Sequence, residues 1–520
     1  MTRPLRLAPL LAAFAFVLVP RAAATNPVVP ANFAAEVLVP SLTQPNSFAF
    51  LPDGRVLFTE QVTGRVRLIV GTHVAATDPV LTVPGLNTSG TSGERGLQGV
   101  AVDPAWPQRP YVYLDYTSTS GFIIIVRYTA SGDLANPLGE SLVLGSPYVI
   151  IGNIPDNSDS HNAGCLRFGL DGMLYAAVGE DLDRCAAQDL TQLKGKILRL
   201  DVRNLPPGAG SAFRAQITPA DNPFASSDST TRLVFALGLR NPWRFVIDRV
   251  TQNLYVADPG DFSFEEVDEV SAGDNEGWPW REGVTVEPVG QCPEPGGGGS
   301  QTFDSPIVVI PHDGSSQAVI TAGVHRGAVG GLANWPNEYE GILFYGDYYG
   351  GYLRCAQKVG GTWVAPADVP GQPDTVNWMT GMYSQCDYQI GPDGSLYWLR
   401  QFDDGFGGAT GAFGRIRYTG PPNAVEPTPR NFALRVTPNP SAGPTEVSFA
   451  LREPGPARVE IFDTQGRRVR TLADVRFAVG AERLTWDGAD ERGAHVPAGV
   501  YLVRLSAGRA TSTVRLLRIE

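Results

Sequence analysis

Phe168-Gly-Leu-Asp-Gly-Met-Leu-Tyr175 is the stretch on which the fold turns. An Asp-Gly step between two short apolar runs signals a tight β-hairpin, since glycine accepts the positive φ of such turns and aromatic or branched residues suit the strands. The unit recurs as Phe50-Leu-Pro-Asp-Gly-Arg-Val-Leu-Phe58 and as Ile390-Gly-Pro-Asp-Gly-Ser-Leu-Tyr397. Looser copies are Val102-Asp-Pro-Ala-Trp106 leading to Tyr111-Val-Tyr113, and Phe245-Val-Ile-Asp-Arg249 leading to Leu254-Tyr-Val256. Another is Trp335-Pro-Asn-Glu-Tyr339, leading to Ile342-Leu-Phe-Tyr345. Spread over residues 26–420, these copies are about 65 residues apart, room for a four-stranded sheet and its loops. One such sheet leaves an apolar face exposed, and six arranged around an axis bury those faces against one another. The reading is all-β: a six-bladed β-propeller over 26–420, with a β-sandwich of unrelated hairpins as the competing arrangement.

The rest of the 520 residues frames that repeat. Hydrophobic residues make up 43% and charged residues 18%, the balance of a globular chain, and 59 glycines with 43 prolines supply frequent turns. A formal net charge of -12 argues against nucleic acid or an anionic membrane as the main partner. Residues 1–24 read as a signal peptide: Arg3 and Arg6, an apolar run from Leu7 to Val19, then Ala22 and Ala24 before Thr25. The apolar run is short for a transmembrane span. The chain is therefore expected to be secreted, to the periplasm, the cell surface or the outside. In such a compartment Cys165–Cys185 and Cys355–Cys386 are candidate disulfides, with Cys292 making the count odd and the pairing open.

Pro293-Glu-Pro-Gly-Gly-Gly-Gly-Ser300 reads as a loop, and the proline-rich 421–430 as an interdomain linker. From 431 to 520 the pattern becomes short strands between turns, as in Val447-Ser-Phe-Ala-Leu451 and Gly499-Val-Tyr-Leu-Val-Arg-Leu505, which predicts a small Ig-like β-sandwich. Pro438-Asn-Pro-Ser-Ala-Gly443, Phe462-Asp-Thr-Gln-Gly-Arg467 and Trp486-Asp-Gly488 resemble the Ig-like domain of flagellar hook-capping proteins and the sorting domains of type IX secretion substrates. That resemblance implies export, attachment or spacing, with secretion machinery or a cell surface as partner.

Three runs can carry chemistry. Asp159-Ser-His-Asn-Ala-Gly164 places His161 on a loop of small polar residues, where an imidazole can take a proton from a hydroxyl. The same residues also fit a loop histidine bonded to a backbone carbonyl. Gly238-Leu-Arg-Asn-Pro-Trp-Arg244 brings Arg240 and Arg244 beside Asn241, an arrangement suited to a planar anion. Its plain alternative has Trp243 in the core and both arginines on surface acids. Asp258-Pro-Gly-Asp-Phe-Ser-Phe-Glu-Glu-Val-Asp268, followed by Gly277-Trp-Pro279, is oxygen-rich enough for Ca²⁺ but lacks EF-hand spacing, and by default is a solvated acidic turn.

These runs, with Gly93-Glu-Arg-Gly-Leu-Gln-Gly-Val-Ala101 and Leu193-Lys-Gly-Lys-Ile-Leu-Arg-Leu-Asp201, occur in an order that resembles the glucose/sorbosone dehydrogenase family. That family includes soluble quinoprotein aldose dehydrogenases and Hedgehog-interacting-protein-like propellers. The resemblance spans about residues 32–420. It implies oxidation of an aldose or related sugar with pyrroloquinoline quinone (PQQ) and Ca²⁺, electrons leaving to an external acceptor. Carried over, His161 is the base, Glu180 assists it, and Arg240 polarises the quinone oxygen. Asn241, Glu94 and Arg244 fall in the cofactor surroundings, and the carbonyls of Gly260 and Asp261 on the Ca²⁺.

The chain departs from that family at three places. Asp347-Tyr-Tyr-Gly-Gly351 has no lysine, Ser384-Gln-Cys386 replaces a pair of arginines, and Glu94 stands for a glutamine. A triply anionic quinone loses about 1.5–3 kcal/mol for each charged hydrogen bond not made. Arg244 and Arg354 are the candidate replacements. Arg240, His161 and at least two further cations around one pocket would favour the enzyme; acids or tyrosines crowding it would favour a non-catalytic propeller that binds glycan or protein.

Overall fold

In the computed structural model, the structure describes residues 27–519 apart from 91–92, 227, 287–291, 293–302, 327–334, 404–409, 421–433, 452–454, 464–465, 478–479 and 508–509. The signal peptide, the Gly-rich loop at 293–300 and the linker at 421–430 expected from sequence lie outside the described residues. The chain divides into two compact units, Met1–Pro421 and Pro422–Glu520. Described helix is confined to Arg214–Ile217 and three 3-10 turns, so the protein is all-β.

The first unit contains six largely antiparallel sheets of four or five strands. Each has a strand that contributes to a common centre: Pro45–Phe50, Leu97–Val102, Ala163–Phe168, Arg244–Ile247, Val319–Val324 and Gln385–Ile390. The Asp-Gly turns lie where the sequence reading put them, between Ala163–Phe168 and Leu174–Val178 and between Gln385–Ile390 and Leu396–Arg400. The last of these sheets takes a strand from the start of the chain: Phe33–Leu42 pairs antiparallel with Gly411–Tyr418, from Phe33↔Tyr418 to Leu42↔Gly411.

Polar side chains link all six central strands. Asn46 Nδ2 donates to Gln98 Oε1 at 2.7 Å, and Arg244 Nη2 donates to the Asn46 carbonyl at 2.8 Å. Thr321 Oγ1 donates to the Arg244 carbonyl at 3.0 Å. Arg167 Nη2 meets Asp387 Oδ1 at 2.6 Å, while Asp387 Oδ2 accepts from Ser47 Oγ at 3.0 Å and from the Phe48 N–H at 3.1 Å. Pairing and hydrogen bonding offset the cost of burying these charges where the six strands meet.

The cysteine pairing differs from both candidates. Cys185 bonds Cys292, across 107 residues, and Cys165, Cys355 and Cys386 are free and buried. The three thiols belong to strands whose packing already employs them: Cys165 and Cys386 donate to the carbonyls of Phe245 and Leu399, and Cys355 packs among Phe344, Trp335 and Trp378.

The second unit has two sheets, Arg435–Thr437, Thr445–Leu451 and Gly480–Trp486 in one, Gly455–Asp463, Arg468–Phe477, Gly499–Ala507 and Ala510–Arg518 in the other. Alternate residues Val447, Phe449 and Leu451, Val459 and Ile461, Val503 and Leu505 enter one core with Trp486, the period of two that a half-buried strand requires.

Candidate functional site

Loops that enter the central strands of several sheets meet around a cavity of about 260 Å³, lined among others by Glu94, His161, Arg240, Asn241 and Gly260. His161 has φ 59°, in the left-handed region, and Ala163, Asp181 and Leu182 beside it share that conformation. Non-glycine residues held there are strained, a condition that clusters at functional sites.

His161 Nδ1 is hydrogen-bonded to the carboxylate of Glu180, a fully buried side chain. The contact commits one ring nitrogen and leaves Nε2 for chemistry. Gly179 permits the approach of the two loops, since a Cβ there would fall 2.0 Å from the His161 carbonyl. The Glu180 N–H then donates to the Arg240 carbonyl at 2.8 Å, which joins the imidazole's loop to the arginine's. Asp181, next in sequence, accepts from the N–H groups of Asn157 and Ser158 at 2.9 and 2.7 Å and pairs with buried Lys194 at 3.0 Å, fixing the segment that leads to His161.

Arg240 and Asn241 are set by Asp258, whose two oxygens accept their backbone N–H groups at 2.7 and 2.6 Å; burial pushes this carboxyl up to about 6. The Arg240 guanidinium donates to the Pro259 carbonyl at 3.0 Å and to Asp261 Oδ1 at 3.2 Å, and its Nε is buried with no partner among the described residues. Glu94 accepts from the Asn162 N–H at 3.1 Å and from Asn241 Nδ2 at 3.3 Å. Burial raises its carboxyl above the ordinary range.

Arg244 does not line this cavity. Four residues past Arg240, it is the first residue of a central strand and points into the polar network, held by the carbonyls of Asn46 and Trp243. Arg354 is likewise engaged elsewhere, donating to Asn377 at 2.8 Å and lying over the Tyr352 ring. The remaining wall is uncharged: Gln61, Gln317, Gln385 and Gln401 with Tyr348 and Tyr349. Sequence reasoning missed these glutamines, which carry no local pattern. It also missed Arg184, whose nearest signal is its place beside Cys185. Arg184 pairs with Asp261 and lies 4.9 Å from the Trp278 ring centroid, on which Arg240 sits at 5.5 Å.

The acidic run is not a solvated turn. Asp258, Glu265, Glu266 and Asp268 are all buried. Glu282 Oε1 accepts from the four successive N–H groups of Asp261 to Phe264 at 2.7–3.1 Å, shaping the loop that carries Gly260. Both Asp268 oxygens and Glu276 Oε1 are buried without a hydrogen-bond partner among the described residues. Burial, with the other acids close by, holds Glu266, Asp268 and Glu276 well above the usual carboxylate range. Carboxylate oxygens of Asp274, Glu276 and Asp304 come within 4.8 Å of one another, so a hard divalent cation has an all-oxygen donor set here.

Comparison with known proteins bears on what this arrangement is for. The profile of the Glucose / Sorbosone dehydrogenase family matches residues 42–309, more than half of the chain. The chain belongs to that family. A FlgD Ig-like domain profile matches residues 436–511. HIPL1 protein of Arabidopsis thaliana is 30% identical over 250 residues, covering 44% of this chain and 34% of its own length. Aldose sugar dehydrogenase YliI of Escherichia coli (strain K12) is 27% identical over 251 residues, with 48% of this chain and 62% of its own length covered. The PQQ-bound aldose sugar dehydrogenase of Streptomyces coelicolor superposes with a TM-score of 0.54 at 25% identity, over 75% of this chain and 99% of its own. This family member thus spans less than two thirds of either curated relative. Among the described residues no helix is long and apolar enough to cross a membrane.

Proposed function

We propose that the first unit is a six-bladed propeller that oxidises an aldose or related sugar in the His161 cavity, with PQQ and Ca²⁺ as cofactors and an external electron acceptor. The observation that carries this reading is that His161, held by Glu180, and Arg240 line one cavity with their loops joined backbone to backbone.

The residues present fit an anionic planar group at the Arg240 end, where a buried guanidinium keeps an Nε without a partner among the described residues. When bound, the quinone supplies the hydride acceptor for a C–H bond of the sugar. His161 Nε2 takes the proton from the hydroxyl on the same carbon, and Glu180 stabilises the imidazolium that results. Glu94 and Asn241 offer hydrogen bonds at the cavity wall. Gly260 lines the cavity, and its carbonyl with that of Asp261 is the proposed Ca²⁺ contact there. The Asp261 carboxylate is already shared by Arg240 and Arg184. Asp274, Glu276 and Asp304 are the carboxylates that would hold a second divalent ion. For the second unit we propose an Ig-like sandwich in a secreted protein, serving export or surface attachment.

A second reading, a non-catalytic propeller that binds glycan, draws on the amide- and tyrosine-rich wall, in which Arg240 is the single arginine or lysine among the described lining residues. Titration with PQQ and Ca²⁺, followed by dye-linked oxidation of a sugar panel, separates the two. The enzyme reading expects an absorbance change on quinone addition and turnover that His161→Gln abolishes. Sugar binding with neither signal leaves the glycan-binding reading.

A further inference from the structure

Arg240 alone is a weak anchor for a polyanion, because its nearest carboxylate could consume its charge. Asp261 Oδ1 lies 3.2 Å from Arg240 Nη2. The other oxygen of the same carboxylate is taken by Arg184, which comes from a different loop. Both guanidinium groups also lie on the Trp278 ring, at 4.9 and 5.5 Å. Two cations therefore share the one carboxylate of Asp261, while the carboxyls of Asp258, Glu180, Glu265 and Glu94 also act on Arg240.

The loop that delivers Arg184 is fixed independently at both flanks. The neighbouring Cys185 is bonded to Cys292. Gln188, at the end of the same 3-10 turn, donates to the Trp278 carbonyl at 2.6 Å and to Asn275 Oδ1 at 2.8 Å. Lys196 Nζ is hydrogen-bonded to the carbonyls of Ala186 and Ala187 at 2.7 and 2.9 Å, holding the turn from beneath. So much fastening around one half-exposed arginine exceeds what a surface ion pair needs, since such pairs contribute little stability by themselves.

We infer that Arg184 is a positioning residue of the ligand site: by occupying half of Asp261 it frees the charge of Arg240 for an anionic group in the cavity, replacing cations this chain lacks at Tyr349, Ser384 and Cys386. The inference rests on the quinone reading above and assigns Arg184 no contact with substrate. It accounts for how a wall of glutamines and tyrosines can still hold a carboxylate-bearing cofactor at one end.

The test is the equilibrium affinity for PQQ in Ca²⁺ buffer, followed by quenching of protein fluorescence at two salt concentrations, for the wild type, Arg184→Gln and Arg184→Lys. Loss of one charge-assisted interaction predicts a rise in Kd of about tenfold to a hundredfold for Arg184→Gln. Its salt dependence should be shallower than the wild type's, and Arg184→Lys should recover most of the affinity. Thermal unfolding of each variant checks that the fold is retained. Wild-type affinity in Arg184→Gln, an unchanged salt slope, or a lysine variant as weak as the glutamine one overturns the inference while leaving the quinone reading intact. A wild-type protein that binds no quinone overturns both.

Discussion

Replacing Asp387 by Asn tests whether the polar network really fastens the sheets together. Asp387 is fully buried, accepts three hydrogen bonds, from Arg167, Ser47 and Phe48, and lies 3.8 Å from Arg244 Nε. The amide keeps the volume and one acceptor but removes the charge that faces Arg167 at 2.6 Å. Breaking a buried pair while leaving its partner charged costs about 3–5 kcal/mol. A contact to Oδ2, from the Ser47 hydroxyl or the Phe48 N–H, also becomes a donor facing a donor, adding about 1 kcal/mol. The Asp387→Asn change should therefore cost the first unit about 4–6 kcal/mol. Urea unfolding followed by tryptophan fluorescence reads the shift. Combining the change with Arg167→Met should recover at least half of the loss, because the stranded charge goes with it. A single variant within about 1 kcal/mol of wild type would refute the claim that this carboxylate secures the centre.

Other outcomes follow from the same geometry. Burial pushes the Asp115 carboxyl up to about 8 from its ordinary 3.8, so the folded protein keeps a proton that the unfolded chain has released above about pH 4. Its contribution to stability is complete at low pH and is lost as pH rises from about 4 through 8. Asp115→Asn should flatten this slope, read as urea midpoints at about pH 5 and pH 8; parallel slopes for both proteins would contradict it. Glu180→Gln should lower turnover by about a hundredfold to ten-thousandfold while leaving quinone affinity near wild type, checked by dye-linked assay and titration. Chelation should lower the melting temperature of the first unit and Ca²⁺ should restore it, by about 2.7 kcal/mol at a hundred times Kd. In Glu276→Gln that response should shrink, as calorimetry with and without the ion would record.

The Asp-Gly hairpins were legible because their turn chemistry and strand composition are local. Phe168–Tyr175 specifies its own hairpin whatever surrounds it, and the sheets that follow are visible in its copies. His161, Glu180 and Arg240 were legible as members of a family pattern, although nothing in the spacing alone says that residues 161 and 240 meet. Arg244 was misplaced because a loop and a strand divide near Pro242, and four residues after Arg240 the side chain already follows strand alternation toward the centre. The acids at 265–268 read as solvated because charge normally means surface; their partners come from elsewhere in the chain, His312 and the Val319 N–H on Glu265 and the Gly283 N–H on Glu266. The Cys185–Cys292 bridge joins segments 107 residues apart, a distance over which sequence imposes no pairing preference.

The pairing of Phe33–Leu42 with Gly411–Tyr418 has a mechanical consequence. Phe33 faces Tyr418 across the ladder, so the chain enters and leaves the first unit side by side. A pull that separates those two ends opens the ladder one rung at a time, beginning at that pair, whereas a load spread along the strand would have to break all rungs together. Linking the two neighbouring ends and opening the backbone in another connection would keep every ladder while moving the weak point, so a permuted protein should withstand end-to-end tension differently without any change in its sheets.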